Sequence, residues 1–216
     1  IRVWGRFKAN RGYDMSMIEN GQGDALSYHQ QMAQRTDAVA AVFEAHGHDV
    51  KKHIADFAHA VSERWVPENG ARVVAKAWTD PVFKAQLLTN GHQAVTALGL
   101  PMPVHHRHLV ALENTDKVHN VICCTLCSCT AFSIIGLPPD WYKDLEYRAR
   151  VVRESRTVLK EMGLDLPSDV EIRVWDTTAD TRYMVIPKRP ANTAGLSEAA
   201  LAALVSKDAM FGVAAI

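Results

Sequence analysis

Cys123-Cys124-Thr125-Leu126-Cys127-Ser128-Cys129 contains all four cysteines of the 216-residue chain. Core packing does not call for such a concentration. A disulfide framework spreads its cysteines to staple distant segments, which this cluster cannot do. A redox Cys-x-x-Cys pair leaves Cys129 without a role. Structural zinc takes four separate tetrahedral ligands, commonly from two Cys-x-x-Cys pairs or Cys/His pairs. No second pair is present, so ordinary zinc stands as a weaker alternative. Cys123 reads as a packed thiol at the end of a strand.

Cys127-Ser128-Cys129 admits a different chelate. A metal on both sulfurs also reaches the backbone nitrogens of Ser128 and Cys129. The rings closed are six-, five- and five-membered, and they hold four donors near one plane. Cys124, one Cys-x-x-Cys step upstream, adds a third sulfur below that plane and leaves the opposite position open. Amide nitrogens bind only after losing their protons. The set therefore suits a strongly Lewis-acidic trivalent ion, cobalt or iron, better than zinc.

The motif Cys124-Thr125-Leu126-Cys127-Ser128-Cys129 resembles the metal claw of the nitrile hydratase alpha family, which the thiocyanate hydrolase gamma subunit shares. Thr125, where iron-type members carry Ser, is similar to the cobalt type. Three further blocks carry the resemblance: Asn69-Gly70-Ala71-Arg72-Val73-Val74-Ala75-Lys76-Ala77-Trp78-Thr79-Asp80-Pro81, Gly136-Leu137-Pro138-Pro139-Asp140-Trp141-Tyr142-Lys143 and Arg182-Tyr183-Met184-Val185-Ile186-Pro187-Lys188-Arg189-Pro190. It covers roughly residues 37 to 216.

The resemblance implies one Co3+ per chain, with iron the lesser choice. Its ligands would be the sulfurs of Cys124, Cys127 and Cys129 and the amide nitrogens of Ser128 and Cys129. It implies Cys127 as a sulfinate and Cys129 as a sulfenate, both steps on the cysteine oxidation ladder. Cys129, Cys127 and Ser128 then form the catalytic group that hydrates a nitrile to its amide. The nucleophile is either the Cys129 sulfenate oxygen or a water. A beta-type partner subunit would supply arginines to the site, and an activator or cobalt-delivery chaperone would load it. Thiocyanate hydrolysis, or service as a cobalt-carrying maturation module, are the alternative functions.

Two departures from the family pattern bear on the substrate. Thr130-Ala131-Phe132 follows the claw where many members carry Tyr-Pro-Trp, which suggests a roomier site for a bulky or heteroaromatic nitrile, toyocamycin for example. His105 stands where some members carry a glutamine.

Outward from the claw, the pattern reads as α+β: a helical N-terminal arm, then a layered α-β-β-α domain of the nitrile hydratase alpha type. Residues 1–23 read as an arm that docks on a partner or is disordered, 24–100 as a helical region and 101–216 as the mixed metal-binding catalytic domain. Helices are expected from Asp24 to His46, Val50 to Glu63, Ala71 to Trp78 (capped by Asn69), Pro81 to Asn90 (closed by Gly91) and His92 to Leu98. His108–Asn114 and Val118–Cys123 read as one hairpin, Val170–Trp175 and Thr181–Pro187 as another. Asp140 is expected to cap a helix carrying Trp141, Tyr142 and Tyr147, and Arg156–Met162 to form a further one. Ser197 is read as the cap of Glu198–Val205, and Met210–Ile216 as an apolar, strand-like tail.

His105, His106 and His108 sit on an extended segment where only the last two share a face, which disfavours a metal trio. His46, His48, Lys51, Lys52, His53 and His59 read as solvated surface. Hydrophobic residues make up 48% of the chain, enough for a sizeable core, and formal net charge is zero. The absence of any basic tract speaks against nucleic acid or an anionic membrane as partner. No apolar run approaches the ~18 residues of a membrane span. No secretory leader is read, and clustered free thiols suit a reducing cytoplasm.

Overall fold

Ten α-helices, a π-helical turn, a 3-10 turn and four strands appear in the computed structural model, which describes residues 27–216. The expected arm, residues 1–23, lies outside the described residues. The chain divides into two compact units, one ending at Ile54 and one spanning Ala55–Ile216. In the first, α1 (Tyr28–Ala45) opens on a capping box in which Ser27 and Gln30 satisfy each other's backbone N–H groups. Helix α2 (Val50–His59) runs on into a π-helical turn, Ala60–Arg64. The histidines and lysines read as solvated surface are exposed.

The second unit continues with α3 (Pro67–Thr79), α4 (Pro81–Thr89) and α5 (Gly91–Ala97). Pro67–Gly70 forms the first turn of α3, so this helix starts four residues before the expected Ala71. Pro67 takes a first-turn position, where its missing N–H costs nothing. Asn69 lies inside the helix and donates from its side chain to Arg64 O and Ser133 O rather than capping. Gly70 is required by packing: a Cβ there would sit 2.6 Å from Met210 Sδ and 3.0 Å from Ile134 O. Asp80 caps α4 through the N–H groups of Val82 and Phe83, as the Asp-Pro pair predicts. Gly91 does not close that helix. Asn90 caps α5, and Gly91 begins it.

The strands β1 (His108–Glu113), β2 (Val118–Cys123), β3 (Glu171–Asp176) and β4 (Thr181–Ile186) lie where the sequence pattern places them, within a residue or so. Neither expected hairpin forms. β1 pairs with β4 and β2 with β3, both in parallel, as two two-stranded sheets. Two side chains explain the split at the first turn. Asn114 Oδ1 accepts the Asn120 N–H at 2.8 Å, and Asn120 Nδ2 donates to Glu113 O at 2.9 Å. These side chains occupy the backbone groups that a hairpin ladder would use. β2 is also buried along nearly its whole length. A strand covered on both faces belongs to a parallel, layered arrangement rather than to a half-wet hairpin.

Helices α6 (Phe132–Ile135), α7 (Asp140–Lys143) and α8 (Leu145–Glu161) follow the claw, and α9 (Glu198–Ala202) and α10 (Lys207–Phe211) end the chain. Asp140 is not the main cap. Asp144 caps α8 through Glu146 N and Tyr147 N, because the chain breaks helical geometry at that residue. The separate helix expected from Arg156 is the second half of α8, beyond a kink at Glu154. The expected apolar tail begins as α10, capped by Ser206, and turns out of the helix at Gly212 in the left-handed region. Ala71, Val73, Val74, Leu87, Val95, Ile122, Ile134, Tyr142 and Phe211 are among the residues that build one core beneath the sheets. Each large apolar side chain fully buried there contributes roughly 1.5–3 kcal/mol. Among the described residues, no helix is long and apolar enough to cross a membrane.

Candidate metal centre

The parallel register carries the site. It places Cys123, the last residue of β2, beside Asp176, the last of β3. The loop that leaves β2 then turns back on the end of β3. Asp176 accepts the Thr125 N–H at 2.9 Å and also the Thr125 hydroxyl. Thr177 N donates to Cys123 O at 3.0 Å. Two hydroxyls fix the far end of the loop: Tyr142 donates to Cys129 O at 3.1 Å and Thr177 at 3.3 Å. Arg148 of α8 donates to Cys127 O at 2.7 Å.

Held this way, three sulfurs converge. The Sγ atoms of Cys124, Cys127 and Cys129 all lie within 4.8 Å of one another. Cys127 Sγ is 3.4 Å from Cys124 Sγ and 2.9 Å from Cys129 Sγ. Cys124 is buried, Cys129 half-buried and Cys127 exposed, so the cluster has a closed floor and an open side. The Cys127 N–H donates to Cys124 Sγ at 3.4 Å. Among the described residues, neither the Ser128 nor the Cys129 amide is committed to a backbone carbonyl. Sulfurs and amide nitrogens of one short loop are thus gathered at one point, a donor set that fits a thiophilic ion.

Electrostatics separates Cys123, Cys124 and Cys129. Burial pushes the Cys123 thiol up to about 12, with Asp176 and Cys124 adding to the effect, so it is inert packing. Burial also opposes ionisation of Cys124. The Thr177 hydroxyl and the N–H groups of Cys127 and Cys129 outweigh it and bring that thiol down to about 7. Burial and neighbouring Cys127 raise Cys129 to about 11, against the pull of Arg182. The thiolate is the ligating form, so Cys124 is readier to bind than Cys129.

Around the cluster, Arg182 is buried at 4% exposure and donates to Thr178 O at 2.6 Å and Thr181 O at 3.1 Å. His106 is also buried, its Nδ1 without a partner and its ring edge-on to Phe132 at 4.8 Å. Burial, then Arg182 and His105, lower it to about 4. His105 and His108 are exposed, whereas His106 is buried. Thr130 and Ala131 are buried, and Phe132 lies between Trp65 and His106. Asp176, Thr177 and Tyr142 were not legible as claw supports, because their roles depend on strand register and helix packing. The Asp-Thr pair ending a strand is the only sequence signal they leave.

The nitrile hydratase alpha-chain family model matches residues 30–214. The chain belongs to the nitrile hydratase alpha family. It is 43% identical over 193 residues to the low-molecular-weight cobalt-containing nitrile hydratase alpha subunit of Rhodococcus rhodochrous, covering 89% of this chain and 92% of that one. It is 40% identical over 195 residues to the thiocyanate hydrolase gamma subunit of Thiobacillus thioparus, covering 85% and 77%. A double-histidine mutant of the Fe-type nitrile hydratase from Comamonas testosteroni Ni1 superposes with a TM-score of 0.81 at 58% identity, covering 85% of this chain and 89% of that one. The α+β fold of the nitrile hydratase alpha type is therefore shown. Relatives of this family include both a cobalt-containing and an Fe-type enzyme.

Proposed function

We propose that this chain is the metal-bearing subunit of a nitrile hydratase, binding one trivalent ion through Cys124, Cys127 and Cys129 sulfurs and the Ser128 and Cys129 amide nitrogens. The supporting observation is the convergence of the three sulfurs within 4.8 Å on a loop whose two amides are uncommitted to carbonyls. Cobalt is proposed over iron on Thr125 and the cobalt-containing relative. The ion would supply a strong Lewis acid at a position free of protein ligands, polarising a nitrile or activating a water.

The chain's own residues supply the rest. Cys124 would hold the ion from the buried side of the cluster. Cys127 and Cys129, oxidised to sulfinate and sulfenate, would present oxygens at the open side, where either the Cys129 oxygen or a water meets the nitrile carbon. Ser128 contributes its backbone nitrogen. Asp176, Tyr142, Thr177 and Arg148 keep the loop in its turn. Three thiolates and two ionised amides around a trivalent ion leave about two negative charges. Such charge needs cationic partners when buried, and a beta-type subunit bringing arginines would meet that need over the exposed Cys127 side. A cobalt-delivery chaperone or activator would load the claw.

For the substrate, the replacement of a Tyr-Pro-Trp wall by Thr130-Ala131-Phe132 favours a bulky or heteroaromatic nitrile. Assaying the loaded chain with and without a beta-type partner on acrylonitrile, toyocamycin and thiocyanate tests the reading. Hydration only with the partner, and faster on toyocamycin, is expected. Preferential turnover of thiocyanate would move the chain to the hydrolase branch, and metal uptake without turnover of any substrate would favour a cobalt-carrying maturation module.

A further inference from the structure

The peptide that joins Cys127 to Ser128 has one atom at each end of the problem. Its nitrogen is the proposed Ser128 ligand. Its oxygen is the Cys127 carbonyl, and that oxygen accepts the 2.7 Å hydrogen bond from Arg148 Nη1. The same guanidinium donates from Nη2 to Lys143 O, also at 2.7 Å. It therefore ties the claw loop to the end of α7. The Asp144 cap fixes the first turn of α8, from which Arg148 projects.

The charge on this guanidinium is unanswered. Arg150, on the same helix, gathers Glu146, Glu154 and Glu161. Arg148 has no carboxylate partner among the described residues, and its half-buried side chain leaves Nε buried without any acceptor. Two neutral carbonyls only partly offset a cation held in this way. An amide nitrogen that binds a metal releases its proton to water, and the negative charge gained is shared with the carbonyl oxygen of the same peptide. A hydrogen bond from a cation to that oxygen, already charge-assisted on the donor side, then has an anionic acceptor as well and strengthens. The neighbouring peptide lacks this help: the Ser128 carbonyl has no hydrogen bond among the described residues.

We propose that Arg148 is a positioning residue of the claw, holding the plane of the Cys127–Ser128 peptide and carrying part of the charge that this peptide gains as a ligand. The inference rests on the metal-claw reading above. It makes the Ser128 nitrogen a ligand prepared within this chain, and leaves the charge on the Ser128 carbonyl to be met from outside it.

The full chain is loaded with Co2+ in air, alone and with its beta-type partner, as wild type, Arg148→Gln, Arg148→Lys and Arg150→Gln. Cobalt per chain after a chelator challenge, the sulfur-to-metal charge-transfer spectrum and the melting temperature are read for each. Arg148→Gln should retain cobalt about tenfold less well, as supporting residues around metal ligands do, and shift the spectrum. Arg148→Lys, which keeps the charge, should recover part of both. Arg150→Gln should lower the melting temperature while leaving the spectrum unchanged. Wild-type cobalt retention and spectrum in Arg148→Gln overturn the inference, as does equal cobalt loss in Arg150→Gln. A wild-type chain that takes up no metal overturns the claw reading itself, which separates the two failures.

Discussion

Tyr142 and Tyr147 offer a matched pair of perturbations. Both rings are buried in the same aromatic cluster with Trp141, and both hydroxyls donate to a backbone carbonyl. Tyr142 reaches Cys129 O at 3.1 Å, and Tyr147 reaches Ile122 O at 3.0 Å. Replacing either by Phe deletes one buried hydrogen bond and keeps the ring. Each substitution should cost about 1 kcal/mol of stability. For a chain of this length that lowers the melting temperature by roughly 2–4 °C. The two should differ sharply at the metal. The Cys129 carbonyl keeps only its longer bond from Thr177, at 3.3 Å, once the Tyr142 hydroxyl is gone. Metal retention should then fall about tenfold in Tyr142→Phe, the lower end of what supporting residues contribute, and stay near wild type in Tyr147→Phe. Melting curves and a chelator competition on the loaded chain measure both. Equal metal retention in the two variants, with both destabilised, would refute the claim that Tyr142 acts on the claw and not only on the core.

Cys127→Ala removes one end of the planar chelate and should abolish metal binding, whereas Cys123→Val should leave metal content unchanged because that thiol is buried and far from ionising; metal analysis of the two variants distinguishes them. Gly91→Ala places a Cβ 2.4 Å from Leu109 O, so α5 must move away from β1; a loss of about 3 kcal/mol is expected from overpacking against backbone, read as a denaturation midpoint. His106 is held neutral with its proton affinity lowered from 6.5 to about 4. The unfolded chain therefore binds the extra proton first, and stability present above pH 6.5 is lost as pH falls toward 4. Between pH 7 and pH 5 this amounts to about 2 kcal/mol. His106→Phe should flatten that part of the acid loss in melting curves taken at the two pH values, and an unchanged pH dependence would count against the assignment.

The strands, the Asp80 and Ser197 caps and the clustering of the three thiols were legible because each is local. Alternation, a capping oxygen and a run of thiols are all decided within a few residues. The pairing of the strands was not legible. Asn114 looks like an ordinary turn residue and Asn120 like an ordinary strand residue, yet their side chains displace the hairpin ladder and release β2 to pair with a strand more than fifty residues away. The same long-range register sets Asp176 against Thr125, so the support of the claw was hidden together with the topology. Gly70 and Gly91 look like turn or cap signals. They sit inside helices because another segment passes too close for a side chain, which is a tertiary fact. Met210 to Ile216 is apolar enough for a strand, but Ser206 and Gly212 bracket its first residues into a short helix packed on the core.

In the proposed function, Cys124, Cys127 and Cys129, with two backbone nitrogens, hold a trivalent metal and carry oxygen on two of the sulfurs. Metal analysis together with the mass of the peptide spanning residues 123–129 tests it most directly. One cobalt per chain is expected, with added oxygen confined to Cys127 and Cys129. A loaded, partner-bound chain with no cobalt or iron, or with an unoxidised claw peptide, would contradict it.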